Sequence, residues 1–346
     1  MILSLLAHLA LGAVGGYLAS VAGLPMPFLL GALVAVAPLV IWQGASGRAT
    51  LVFPTSLRFA FVGGIGALIG AGFTPELVRI LPALWVSLLG VGLFVVVAHL
   101  AGYLVYRKLG GYDRVTSLYG SMPGGLIEGV ALGEKAGGDV MLLTVHHFAR
   151  IVIVVFTVPL LFAVFSGELV GSAAGLALSS GGGGLMDVLG LVAVTLAGLS
   201  LSRLVRLPAG HLTGPLLVAA ALHGAGLMAL ESPAWLVALA QLVVGTSLAT
   251  QFAGATPRVL GRAFGLTMVA VGAMFAAAAL IASAVARNTP LGFDEAFISF
   301  APGGVAEMGL IALSLDISPV IITAHHLIRI VLTIMFVRWA QTHLTP

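Results

Sequence analysis

The chain alternates between long apolar blocks and short polar interruptions. Twelve blocks can be drawn, at residues 2–22, 27–43, 56–73, 80–106, 115–133 and 140–165, then at 186–202, 212–229, 234–253, 259–286, 296–313 and 319–339. Most approach the roughly 20 residues an α-helix needs to cross the hydrocarbon core of a bilayer. Backbone in lipid must satisfy its own hydrogen bonds, and the pattern lacks the short alternating strands of a membrane β-barrel, so spanning helices are the expected elements. The expected fold is an all-α integral membrane protein. The first block has no basic leader and runs on into more membrane sequence, so it reads as a span rather than a signal peptide. The fifth block differs from the others. "GSMPGGLIEGVALGEKAGGD" (residues 120–139) is rich in Gly, carries Pro and ionisable groups, and has too short an apolar stretch to span comfortably. Its spacing predicts a helix broken at Pro-Gly-Gly, re-entrant rather than spanning.

Slid against itself, the chain matches without a gap at an offset of 179, residues 123–152 on residues 302–331. The identities are Pro123, Gly124, Gly125, Glu128, Thr144, His146, His147, Arg150, Ile151 and Val152, against Pro302, Gly303, Gly304, Glu307, Thr323, His325, His326, Arg329, Ile330 and Val331. Two unrelated apolar helices would share Leu and Val by chance, not this set. Weaker echoes lie upstream, where "GLPMPFLLGALVA" resembles "RLPAGHLTGPLLVA" and Thr74-Pro75 matches Thr256-Pro257. The chain therefore reads as two copies of one unit: residues 1–165, a Gly/Ser-rich linker at 166–185, and residues 186–346.

Charge decides how the copies are oriented. Basic loops follow blocks two and four in the first copy (Arg48, Arg58, Arg107, Lys108, Arg114) but blocks one and three in the second (Arg203, Arg206, Arg258, Arg262). Basic loops stay on the cytoplasmic side, so an odd number of crossings must separate the copies. If the fifth block of each copy re-enters, eleven Lys and Arg lie inside, Arg79 and Arg287 outside, and Arg150 and Arg329 within spans. The expectation is an inverted repeat of five spans plus one re-entrant or broken segment per copy, with both termini cytoplasmic. Composition agrees: 60% of residues are hydrophobic and 8% charged, with a mean hydropathy of +1.16, where soluble domains are about a quarter charged. Without cysteine there is no disulfide, thiolate metal site or cysteine nucleophile.

Unwound backbone at membrane depth is tolerated only where protein buries it or water reaches it, and secondary transporters bind substrates and ions at such breaks. The candidate site therefore comprises Pro123, Gly124, Gly125 and Glu128 with Pro302, Gly303, Gly304 and Glu307, and the stripes Thr144, His146, His147, Arg150 and Thr323, His325, His326, Arg329. Residues three or four apart share a helix face, so each Thr, second His and Arg line up. Charged groups in a span are costly unless paired or wetted, and Glu128 and Glu307 are the obvious partners for the arginines. Two readings of each element stay open. The Glu–Arg pairs either lock the loops or hold a ligand, and the histidines either bond backbone or carry protons. Adjacent histidines are about 100° apart on a helix, which argues against a dedicated metal site. No cofactor is expected. "GGIGALIGAG" (residues 63–72) lies within an apolar span and reads as helix packing, not a phosphate loop. His8, His99, His223 and Gln251 have no counterpart in the other copy, and core hydrogen bonding is the default for each.

"PGGLIE" and "HHFAR", repeated as "PGGVAE" and "HHLIR", resemble the AbrB-type duplicated membrane protein family. Members carry the labels "ammonia monooxygenase" and "AbrB regulator". The resemblance implies a bacterial inner-membrane protein with an internal duplication. In plan the chain is similar to inverted-repeat secondary transporters such as sodium/proton antiporters and bile-acid symporters. The leading expectation is a secondary transporter or permease for a small polar or ionic substrate, with or without proton coupling. The alternatives are a membrane metal-dependent enzyme and a membrane-embedded ligand sensor. Partners are then the substrate and membrane lipid, without nucleic acid, and a homo-oligomer is left open.

Overall fold

A computed structural model describes residues 2–24, 26–73, 81–166, 184–205, 207, 209–229, 234–315 and 317–344. The helices of the first half are α1 (Ile2–Val21), α2 (Pro27–Ala45), α3 (Thr55–Ala71), α4 (Trp85–Leu104), α5 (Arg114–Gly120), α6 (Leu126–Lys135) and α7 (Val140–Ser166). Those of the second half are α8 (Leu185–Val205), α9 (Gly210–Gly224), α10 (Ala234–Thr250), α11 (Pro257–Asn288), α12 (Phe293–Phe300), α13 (Val305–Ser314) and α14 (Pro319–Leu344). Helix α4 runs on into a π-helical turn, Val105–Leu109. Among the described residues seven helices are long and apolar enough to cross a membrane, and α3 and α10 are shorter apolar helices. The protein is thus an all-α, multi-pass membrane protein. Each apolar block of the sequence is a helix, and the fifth block of each half is two short helices around a break. The linker expected at 166–185 lies largely outside the described residues.

The backbone forms two compact units, and neither follows the halves of the sequence. One unit contains α1, α2 and α3, the end of α7, α8, α9 and α10, and residues 309–320. Within it α1 packs on α2 and α8 on α9, while α10 packs on α2 and α3 on α9. Each third helix thus lies against the second helix of the other half. Glycine makes these contacts close. A Cβ on Gly31 would overlap the Gly15 carbonyl, and one on Gly214 would overlap the Gly198 carbonyl. The second pair repeats the first at an offset of 183. Gly66 and Gly70 of "GGIGALIGAG" meet the carbonyls of Leu212 and Leu216 in the same way, so that run is a helix-packing face. Met26 and Ala209, also 183 apart, both adopt left-handed backbone (φ 47° and 46°) at the starts of α2 and α9. For a residue with a Cβ this is unfavourable by about 1 kcal/mol or more.

The other unit holds α4, α5, α6, most of α7, α11, α12, the first turn of α13, and α14 from Ile321. Helix α4 packs along α11, and α12 packs against α11. Leu118, Tyr119, Met122, Leu143, Val337 and Ala340 form a core that joins α5, α7 and α14. Helix starts follow ordinary capping: the Thr256 hydroxyl accepts from the Val259 amide (3.4 Å) with Pro257 in the first turn of α11. The matching Thr74-Pro75 lies outside the described residues. Asp113 caps α5, its carboxylate accepting from the Thr116 amide at 2.8 Å. Burial pushes the Asp113 carboxyl up, but hydrogen bonds from the hydroxyl and amide of Thr116 outweigh it and hold it below the usual carboxylate range. A depressed carboxyl stabilises the fold above its unfolded pKa, near 4, and that contribution is lost as pH falls through the folded value. Asp113→Ala is expected to destabilise the protein by about 1 kcal/mol at neutral pH and by less in acid, read by unfolding in mixed micelles.

Candidate functional site

All sixteen residues singled out in the sequence fall in this second unit. The breaks come first. Helix α5 ends at Gly120, residues 121–125 are not helical, and α6 starts at Leu126 behind Gly125, whose φ of 70° suits glycine. Helix α12 ends at Phe300 and α13 starts at Val305. A helix that stops leaves carbonyls without partners and a partial negative charge at its end. Pro123, Gly124, Gly125, Pro302 and Gly303 are buried, so protein must satisfy those carbonyls.

The arginines satisfy them. Arg150 on α7 donates to the Met122 carbonyl, and Arg329 on α14 donates to the Ala301 carbonyl, 179 residues on in both donor and acceptor. Arg329 also donates to the carbonyls of Phe300 (3.4 Å) and Gly303 (2.7 Å). The expectation that Glu128 and Glu307 pair with the arginines is not met, because among the described residues neither guanidinium has a carboxylate ion-pair partner. The broken helix ends supply the negative charge instead. Glu307 is buried, and its charge acts on Arg150 from the other half, while the two arginines repel each other. Glu128 is half-buried.

The histidines follow the same scheme. His147 Nε2 donates to the Tyr119 carbonyl (3.1 Å) and His326 Nε2 to the Ile298 carbonyl (3.0 Å), again at the same spacing. A carbonyl can only accept, so Nε2 carries the proton in both rings. The first histidines reach across to the fourth block of the other half. His146 Nδ1 lies 2.7 Å from the Thr267 hydroxyl on α11, and His325 Nε2 lies 2.8 Å from the Ser87 hydroxyl on α4. His146 Nε2 also meets the Tyr112 hydroxyl at 3.1 Å, whereas His325 Nδ1 donates to its own helix at Ile321 (2.8 Å). Thr144 is half-buried, and Thr323 is buried with its hydroxyl unpartnered. Among the described residues no three His, Asp or Glu side chains converge as a metal-binding set.

Contacts cross between the two breaks. A Cβ on Gly124 would lie 3.1 Å from Arg329 Nε, and one on Gly125 3.5 Å from Ile330. In return, a Cβ on Gly304 would lie 3.6 Å from Ile151, and one on Gly303 3.2 Å from Val154. Each break therefore rests on the His-His-x-x-Arg helix of the other half. His147 sits over Gly129, where a side chain would collide with the ring.

Sequence reasoning missed Ser87, Thr267, Tyr112 and Tyr106, whose ring lies 4.3 Å from that of His146. "SLLGVG" (87–92) and "TMVAVG" (267–272) align at an offset of 180, so a shared hydroxyl position in the fourth block was available as a signal. Tyr106 and Tyr112 face Ala286 and Gly292 in that alignment and left no such trace. Among the unmatched residues, His8 and His223 bond their own helix at Ser4 (2.7 Å) and Ala219 (3.0 Å), and Gln251 donates to Ser247 (3.3 Å). His99 is fully buried, edge-on to Phe336.

Fold and site together define a multi-pass helical membrane protein whose polar groups gather where two interrupted helices meet two His-His-x-x-Arg helices. The chain belongs to the AbrB family, described as "Transition state regulatory protein AbrB", which matches residues 28–344. It is similar to "Uncharacterized protein YhjN" of Bacillus subtilis (strain 168), 26% identical over 352 residues covering 94% of this chain and 89% of that protein. It is also similar to "Putative regulator AbrB" of Escherichia coli (strain K12), 25% identical over 287 residues covering 81% and 80%.

Proposed function

We propose that the protein is a secondary transporter for a small polar or ionic substrate, coupled to protons, with its site at the two breaks. In this reading the halves are inverted repeats in a bacterial inner membrane, with both termini cytoplasmic, and the broken segments re-enter. One observation carries it: two buried arginines, held by helix-end carbonyls rather than carboxylates, sit on breaks that rest on each other's helices. A fixed ion pair would neutralise such a site, whereas guanidiniums anchored to backbone keep their charge for a ligand. Burial of the histidines against carbonyls and hydroxyls also leaves them poor metal ligands, which weighs against the metal-dependent enzyme. His146 offers a proton route, since it links the half-exposed Tyr112 to the buried Thr267.

The test is proton movement in liposomes that carry the purified protein and a trapped pH dye, challenged with pools of small polar metabolites between about pH 5 and 8. A pool-dependent proton flux is expected in wild type, at least about tenfold lower in Arg150→Ala and Glu128→Gln, and unchanged in Arg48→Ala, whose guanidinium stacks on Trp42 in the other unit. Fluxes equal across all four proteins would refute the site.

A further inference from the structure

The charge arrangement at the breaks points to the kind of substrate. Arg150 and Arg329 are 4% and 1% exposed, and each leaves its Nε–H buried without a partner. Arg329 Nε lies against Gly124, one residue before the N-cap of the ten-residue helix α6. A helix N-terminus presents free amides and partial positive charge, so a guanidinium N–H and a helix start face the same glycine. Two like-signed features do not gather around a metal cation. They suit a planar oxyanion, for which guanidinium has the matching fork.

The chain itself carries a carboxylate in that neighbourhood. Glu128, three residues into α6, folds back so that its Oε2 would be 3.3 Å from a Cβ on Gly125. Glu307 folds back over Gly304 still more closely at the start of α13. Neither has an ion-pair partner among the described residues, but they differ in burial: Glu307 is enclosed, whereas Glu128 is half-buried. Glu128 is therefore the more accessible of the two carboxylates. The titratable and charged groups that meet the break before Glu128 are Arg329 from α14, against Gly124, and His147 and Arg150 from α7, at Gly129 and at the Met122 carbonyl. Glu134 and Lys135 sit at the other end of α6.

We propose that the substrate is a small carboxylate, held between Arg329 Nε and the first turn of α6, and that it displaces the Glu128 carboxylate, which takes up one proton. Resting on the transporter reading, this makes the cycle a symport of one proton with each substrate molecule, electroneutral for a monocarboxylate. The charge balances because the bound anion replaces the charge that protonation removes from Glu128.

The experiment is thermal unfolding of the detergent-purified full chain with sodium acetate, pyruvate, succinate or phosphate, against sodium chloride at equal ionic strength, near pH 6 and pH 8. At least one carboxylate is expected to raise Tm, more at pH 6 than at pH 8, since ligand that binds only the folded state stabilises it. Glu128→Gln is expected to remove the pH dependence and to bind that carboxylate about tenfold or more tightly at pH 8. Arg329→Lys, which keeps the charge but lacks Nε, is expected to lose the shift. Should Arg329→Lys fold poorly, Gly124→Ala crowds the same Nε and is expected to abolish the shift with the guanidinium in place. No shift with any carboxylate, a shift with phosphate alone, or a shift untouched in Arg329→Lys and Gly124→Ala would overturn the proposal. The two readings separate in liposomes. Carboxylate binding without flux refutes transport and keeps the anion site, whereas flux of labelled sodium or another cation, without any anion effect, refutes the anion site and keeps transport.

Discussion

Arg329→Ala is expected to destabilise the protein by roughly 3–5 kcal/mol and to bring transport to background, the largest effect of any single change at the site. The loss is large because one side chain serves several acceptors. The carbonyls of Phe300, Ala301 and Gly303 all receive its N–H groups, and all belong to a buried helix break where water does not replace them. Each buried carbonyl left without a donor costs about 1–3 kcal/mol. Arg150→Ala strips only the Met122 carbonyl and is expected to lose about half as much stability. Lysine at 329 keeps a charge but cannot span three carbonyls, so it should fall between wild type and alanine. Unfolding in mixed micelles, followed beside flux in liposomes, separates the two roles. Flux that survives in an Arg329→Ala protein that still folds would make the arginine a structural clamp and no more.

The repeated motif was legible because its cost is visible in the letters. Two histidines and an arginine do not enter an apolar helix by chance, and their return with Pro-Gly-Gly after 179 residues located both breaks and both supporting helices. The partners were less legible. A carboxylate three residues past each Pro-Gly-Gly reads as the natural counter-ion for Arg, yet carbonyls at the broken ends take that place, and backbone acceptors have no letter of their own. Left-handed Met26 and Ala209 were likewise hidden, since sequence reasoning looks for Gly at such positions. Their equal spacing from the two Leu-Pro pairs marks them as one feature occurring twice. Division into units was also out of reach, because halves that exchange helices leave a duplication in the sequence without a boundary between bodies.

The second large effect lies in the other unit. Gly31→Val is expected to destabilise the protein by about 3 kcal/mol or more, beyond ordinary overpacking at about 1–3 kcal/mol. Its Cβ would meet the carbonyl of Gly15 and the amide of Gly16, atoms of α1 backbone that cannot rotate away as a side chain would. The two helices would have to part, and the close packing that small residues allow between apolar helices would be lost along the pair. Gly214→Val should do the same at α8 and α9, where its Cβ would meet the Gly198 carbonyl. Gly92 supplies the control. Nothing lies within 4 Å of a Cβ there, so Gly92→Ala should be neutral or stabilising by up to about 1 kcal/mol through helix propensity. Folded yield and thermal unfolding in detergent check all three. If Gly31→Val unfolds no earlier than Gly92→Ala, the α1–α2 contact is looser than described. Because these glycines touch none of the sixteen site residues, any Gly31→Val protein that does fold should still bind the carboxylate, and loss of binding would tie the two units together energetically.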